Sequence, residues 1–386
     1  MQILQNLGLS SVDRIGKIIG AYDKQGNHRT GSDVDAASAD WLAAEFSALG
    51  VTPERSTYRL DRVDVVTASA TVAGATLEGL PRFDGSATGP DGLTGILGPA
   101  GGDAPIGLAE TDPRSTPEVE EIRRRGRHQA IIQITDGGRA GLCPINADSF
   151  TDPFGPPVLQ LSNEHSALLE KAAAEGATVS VTVNTTRTPS TSDNIVGRID
   201  GRDPSLAPLV VMTPRSGWWS CASERGGGLV VLLEIMRTLR TAGPDRTVIF
   251  TANSGHELGH LGLDHFIEEN DEIVRRAHCW IHLGANFGSG IDGKVRLQAS
   301  EKNLLELCRA RMQDAGAPSE LETPLDQRPR GEAGNIYDHS GRYVSLLGEN
   351  GLFHNPDDHW PDAIDVDKTA RLAKAFTAVA VALCKP

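Results

Sequence analysis

Between Ala36 and Leu49, apolar residues at Ala37, Trp41, Leu42, Phe46 and Leu49 recur at the helical period, and Gly50 ends the run. The first 55 residues therefore read as helical. From 56 to 188 the texture changes to short Val, Ile and Thr runs, as in 64–72, 129–135 and 178–183, broken by Gly, Pro and Asp clusters. One helix, Glu164 to Glu175, interrupts this β-rich stretch, and the basic run Arg123 to Arg127 reads as a solvated face.

After a turn-rich segment, Thr186 to Asp193, strands and helices alternate. Leu209 to Thr213 is a buried strand, Leu229, Leu232, Leu233, Met236 and Leu239 form a helical stripe, and Val248 to Ala252 is the next strand. A helical stretch near Leu261 to Arg276 leads to the apolar run Cys279 to Leu283, and Leu372, Phe376, Val379 and Leu383 mark a terminal helix. This order predicts an α/β fold with a mixed, largely parallel sheet flanked by helices. Residues 1–55 and 189–386 form that domain and 56–188 a β-rich insert.

Composition adds exclusions. The 386 residues carry 37 basic and 51 acidic side chains, a formal charge of -14, which disfavours nucleic acid as a partner. The N-terminal segment MQILQNLGLSSVDRIGKIIG has no basic and apolar leader pattern, and no run approaches the roughly 18 apolar residues of a membrane span. Five scattered cysteines without a C-x-x-C pair suggest free thiols, so the expected location is cytoplasmic.

In such a sheet, ligands bind beyond the carboxyl ends of the strands. The segments there are TPRSGWWSCASERGGG (213–228), NSGHELGHLGLDHF (253–266) and GANFGSG (284–290), with FHNPDDHW (353–360) before the last helix. His256-Glu257-x-x-His260 has the H-E-x-x-H form, in which two imidazoles hold zinc and the glutamate is the base. It follows a strand after three or four residues instead of lying in a long helix, and His265 falls one position early for the extended motif. His260 and His265 are accordingly read as helix-face or locally hydrogen-bonded residues.

SDNIVGRIDGRDPSLAPLVVMT, the Gly-rich helix entry, TVIFTANSGHELGHLG and FHNPDDHWPDAIDVD together resemble the co-catalytic zinc aminopeptidases, a family that includes the glutaminyl cyclases. The insert resembles a protease-associated domain around PPVLQLSNEHSALLEKAAAEGATVSVTV. The resemblance implies hydrolysis of an amide, lactam or peptide-like bond in a small-molecule or peptide-like substrate, with homo-oligomerisation open. At the family's His-x-Asp stand Arg215 and Gly217, and Gly284 replaces its third-strand aspartate. Glu224 matches the bridging aspartate, His256 the general base, Glu257 a ligand and His354 the late histidine.

The resemblance therefore implies at most one zinc, held by Glu224, Glu257 and His354. Arg215 is expected near Glu224 and Glu257, where it either pairs with them in place of a metal or binds a substrate carboxylate or oxyanion. His256 is the expected base. A metal-free route needs Ser216, Ser220, Cys221 or Ser223 as nucleophile. Trp218, Trp219, Ser220, His282 and Asn286 are candidate substrate contacts, and Gly226 to Gly228 is a tight helix entry. The competing class is a binding protein that kept the fold after losing the metal.

Overall fold

The computed structural model describes residues 11–386, so the first half of the N-terminal segment, 1–10, lies outside them. Strand Leu209–Pro214 lies central in a mixed sheet, parallel to Val248–Asn253 on one side and to Cys279–Leu283 on the other. Tyr343–Glu349 continues the parallel array beside Cys279–Leu283, and Lys294–Ala299 then runs antiparallel to it. These last two strands lie in the stretch between 284 and 366, for which the sequence pattern gave no elements.

Alternation along one strand builds both layers. Leu209 and Val211 enter a core shared with helices Ser11–Asp23, Asp33–Ala48, Gly226–Ala242 and Val366–Leu383. Val210 and Met212 enter a second core with Leu263, Phe266, Trp280 and Tyr343. A strand covered on both faces reads as a continuous apolar run, which is why it was legible.

The insert has its own core, from Val72 and Leu97 to Ile132, Leu161 and Val181. Its strands Leu93–Pro99, Ile106–Thr111, Ala130–Thr135 and Val158–Ser162 are parallel, with helices Pro117–Arg125 and Ser166–Ala174 among them. The helix Pro117–Arg125 was not expected. Nor was the burial of Arg123: its side chain is fully covered and bonds Asp84 and Glu120, although it sits in the run read as solvated.

The segment read as turns, Thr186 to Asp193, is strand. Thr178–Ile199 pairs antiparallel with Pro53–Val72 almost throughout, Pro189 opposite Asp61 included. Its Ser and Thr residues are largely exposed or half-buried, so the stretch lacks the apolar alternation that marks a strand. Both boundaries drawn from the sequence, 55/56 and 188/189, fall inside these two strands.

Candidate functional site at the strand ends

Four residues in the strand-end loops adopt left-handed backbone: Cys221, His260, Asn286 and His354, with φ of 56°, 69°, 65° and 56°. Such conformations collect where a site over-determines its loops. After Asn253 the chain makes a short 3-10 turn, His256–Leu258, bounded by Gly255 at φ 84° and Gly259 at φ 79°. A Cβ at Gly255 would lie 2.8 Å from the Tyr58 hydroxyl, so the turn is available only to glycine.

The loop after Pro214 is fixed by buried charge. Arg215 pairs with Asp35 at 2.8 Å and also donates to the carbonyls of Asp35 and Asp193. Contrary to expectation, Arg215 thus pairs with Asp35 of the second helix and makes no ion pair with Glu224 or Glu257 among the described contacts. The cation beside Glu224 is instead Arg225, whose Nη2 lies 2.6 Å from Glu224 Oε1 while its Nε donates to the Ser216 carbonyl. Arg225 is the next residue along, yet the sequence reading passed over it.

Glu224 and His354 do meet, with His354 Nε2 3.5 Å from Glu224 Oε1. Burial alone would raise the Glu224 pKa, but Arg225, His354 and His256 outweigh it and the carboxyl lies below its usual range. Burial also depresses His354, whose Nδ1 faces the Pro144 carbonyl at 2.5 Å. Asp358 receives the amides of Ser223 and Glu224 at 2.7 and 2.9 Å, filling the anion position ahead of the glycine triplet. Gly228 in that triplet is needed for close packing, since a Cβ there would lie 2.3 Å from Thr213 Oγ1.

Glu257 turns elsewhere. Its Oε1 accepts from the Thr30 amide and its Oε2 from the Ser216 hydroxyl, both at 2.7 Å. It lines a cavity of about 220 Å³ with Arg29, Thr30, Arg62, Phe83 and Leu258. Burial raises its pKa, opposed by those hydrogen bonds.

His256 Nδ1 is 3.1 Å from Glu332 Oε1, and the His256 and His260 rings are 4.8 Å apart. His256 is held well below the usual imidazole range by burial, with Arg225 and His260 adding to it. His282 is buried to a pKa of about 4 and bonds Ser345. Glu332 was not found from the sequence. It lies in a Gly- and Arg-rich loop far along the chain, with no local pattern to mark it.

The expected zinc trio is not assembled. Among the described residues, the group of three side chains placed to hold a metal is His256, His260 and Glu332, not Glu224, Glu257 and His354. The positions 217 and 284, where the resemblance would put further side chains, are closely packed. A side chain at Gly217 would meet Cys221 Sγ at 2.7 Å, and one at Gly284 would meet Leu347 and His282 at 2.6 and 2.8 Å. Arg225 supplies positive charge beside Glu224.

The serine route lacks its contacts as well. Ser216 donates to Glu257, Ser223 accepts from Asn350, and Cys221 is raised well above its usual pKa by burial. The His256 ring faces Glu332 rather than these groups. Trp218 is buried against Phe83 with its indole N–H on Asn146, so it is packing and not a substrate wall. Trp219 donates to the His354 carbonyl, and Ser220 and Asn286 are buried in the same loops. His265 lies on a helix face beside Glu269, as read.

The insert closes over the strand ends. Pro144 touches His354, Asn146 holds Trp218, Ala147 donates to the Glu257 carbonyl, and the Ala140 carbonyl receives Asn355.

Residues 194–287 match peptidase family M28. Over 111 residues the chain is 32% identical to a vacuolar membrane protease of Vanderwaltozyma polyspora, and over 98 residues 29% identical to human transferrin receptor protein 2. Those stretches cover 28% and 24% of this chain but only 11% and 12% of the two relatives, so the chain spans a small part of their length. The fold is that of BSAP, a zinc aminopeptidase from Bacillus subtilis, at TM-score 0.77 and 18% identity over 96% of this chain and 93% of that one. A peptidase M28 precursor from Shewanella amazonensis superimposes at TM-score 0.76 and 15% identity, over 100% and 96% of the two chains. Among the described residues, no helix is long and apolar enough to cross a membrane.

Proposed function

We propose that this chain, a member of the co-catalytic zinc aminopeptidase family through its M28 region at 194–287, hydrolyses a peptide, amide or lactam bond in a small or peptide-like substrate without the family's paired-metal centre. The observation that carries the reading is Glu257 in the wall of the cavity between the insert and the strand-end loops. Its carboxylate is fixed by Thr30 and Ser216. With its pKa raised by burial, Glu257 is suited to take a proton from water and return it to the leaving amine. Arg29, near the Phe83 ring in the same cavity, provides a cation for a substrate carboxylate.

In this scheme Arg225, Glu224 and Asp358 are supports: a charge pair and an anion that fix the loop before the helix. At most one zinc is accommodated, since the inherited positions are filled by Cys221, Leu347 and the Arg225 charge. All five cysteines are buried and unpaired, which supports a reducing compartment such as the cytoplasm.

A panel of aminoacyl anilides, dipeptides, lactams and simple amides tests the reading. Turnover by the full chain, with kcat lowered about 100-fold or more by Glu257→Gln and KM little changed, is expected. Absence of turnover across the panel overturns it. One observation favours a second reading: a stretch of 98 residues resembles a protein named as a receptor. Saturable peptide binding without turnover in the same panel is its signature.

A further inference from the structure

The H-E-x-x-H string does not lie in an α-helix in this fold, yet its two imidazoles still converge. The 3-10 turn and the left-handed pair Gly259 and His260 bring the rings to 4.8 Å, and Glu332 arrives from a loop more than seventy residues later. Ligand atoms of His256, His260 and Glu332 all lie within 4.8 Å of one another. We propose that these three side chains form a site for one zinc-class divalent cation, distinct from the inherited positions and built by residues that the paired-metal scheme does not use as ligands.

Four observations carry this. Glu332 is fully buried, one oxygen faces His256, and its Oε2 has no hydrogen-bond partner. An unpaired carboxylate oxygen in the interior is costly unless a cation or donor completes it. Arg225 does not fill that role directly, because its close contact is with Glu224.

Second, the lone pairs are prepared. The Asn335 amide nitrogen donates to Asp264, so its oxygen accepts from His260 Nδ1. That places the proton on Nδ1 and leaves Nε2 free to ligate, the outer arrangement that orients metal-bound histidines. Third, two imidazoles and one carboxylate are a donor set for catalytic zinc, with a fourth position left for water or substrate. His256 is 8% exposed and His260 half-buried, so the group is reachable from outside. Fourth, a formal charge of -14 draws cations toward the surface.

In this site His256 is a ligand and not a base. The inference stands apart from the hydrolase reading, because cation binding is measured without turnover. The full chain, stripped with chelator and desalted, is titrated calorimetrically with zinc chloride, and cobalt(II) is added separately to read its visible absorption. One zinc per chain is expected, with the intense cobalt bands of a four- or five-coordinate site. Asn335→Ala weakens zinc by about 10- to 100-fold, and His260→Gln and Glu332→Gln weaken it further.

His260 is half-buried, so its replacement leaves the core intact; matched melting curves confirm that each variant is folded. No saturable zinc binding, or binding untouched by His260→Gln and Glu332→Gln, overturns the proposal. So does binding that His354→Ala abolishes while His260→Gln preserves it, which would return the cation to the inherited ligands.

Discussion

His354 Nε2 lies 3.5 Å from Glu224 Oε1 in the interior, and neither atom has a hydrogen bond; the charge that balances them is Arg225, 2.6 Å from the same oxygen. Removing one member of such a buried pair strands the other. Arg225→Ala is expected to lower stability by about 3–5 kcal/mol in urea unfolding, and adding Glu224→Gln to recover much of it. A loss under about 1 kcal/mol would show that the pair is not desolvated.

A carboxylate at position 284 should fail on packing. Gly284→Asp puts a Cβ 2.6 Å from Leu347 Cδ1, so the variant is expected to lose about 1–3 kcal/mol, partly relieved by Leu347→Ala in the same chain. Thermal melts of the single and double variants decide it. A Gly284→Asp variant as stable as the parent would show that the space exists.

Several buried histidines are neutral, and acid should exploit them. Burial holds His28 to about 3 and His282 to about 4, both below the usual imidazole value. As pH falls through about 6.5, the unfolded chain takes up protons that the native chain refuses, so stability present at neutral pH is lost toward pH 4 at up to about 1.4 kcal/mol per unit and group. Urea midpoints measured from pH 7 to 4.5 check this, and His282→Gln should flatten the slope. An unchanged slope would remove His282 from the account.

Trp218 ties the insert to the strand-end loops through Phe83 and Asn146. Trp218→Ala is expected to cost about 3–5 kcal/mol and to expose residues 136–157 to limited proteolysis. Cleavage at the parental rate in a folded variant would argue against that role.

The doubly covered strands and apolar helix stripes could be read from periodicity because burial on both faces leaves an unbroken signal, as in Leu209–Pro214. Residues 178–183 of the strand Thr178–Ile199 were legible, but its polar middle at 186–193 was not, since the order there comes from backbone pairing with Pro53–Val72 and not from its own pattern. The site divides in the same way. Glu224, Glu257 and His354 were implied by the family resemblance, but which charge each one meets is set across the fold. Asp35 takes Arg215 from a helix 180 residues earlier, and Glu332 reaches His256 across 76 residues. Composition gave no warning that Arg123, inside a basic run, would be fully covered.

Pro53–Val72 and Thr178–Ile199 run without interruption from the insert into the main sheet and stay paired along nearly their whole length. A twin-stranded girder of this kind does not pivot freely, so the two regions should tumble together in solution instead of swinging like jaws. Whatever enters the cavity beside Glu257 must therefore pass between the side chains of its own walls, such as Arg29, Arg62 and Phe83, and its rate of entry should follow their local motion rather than any large-scale opening.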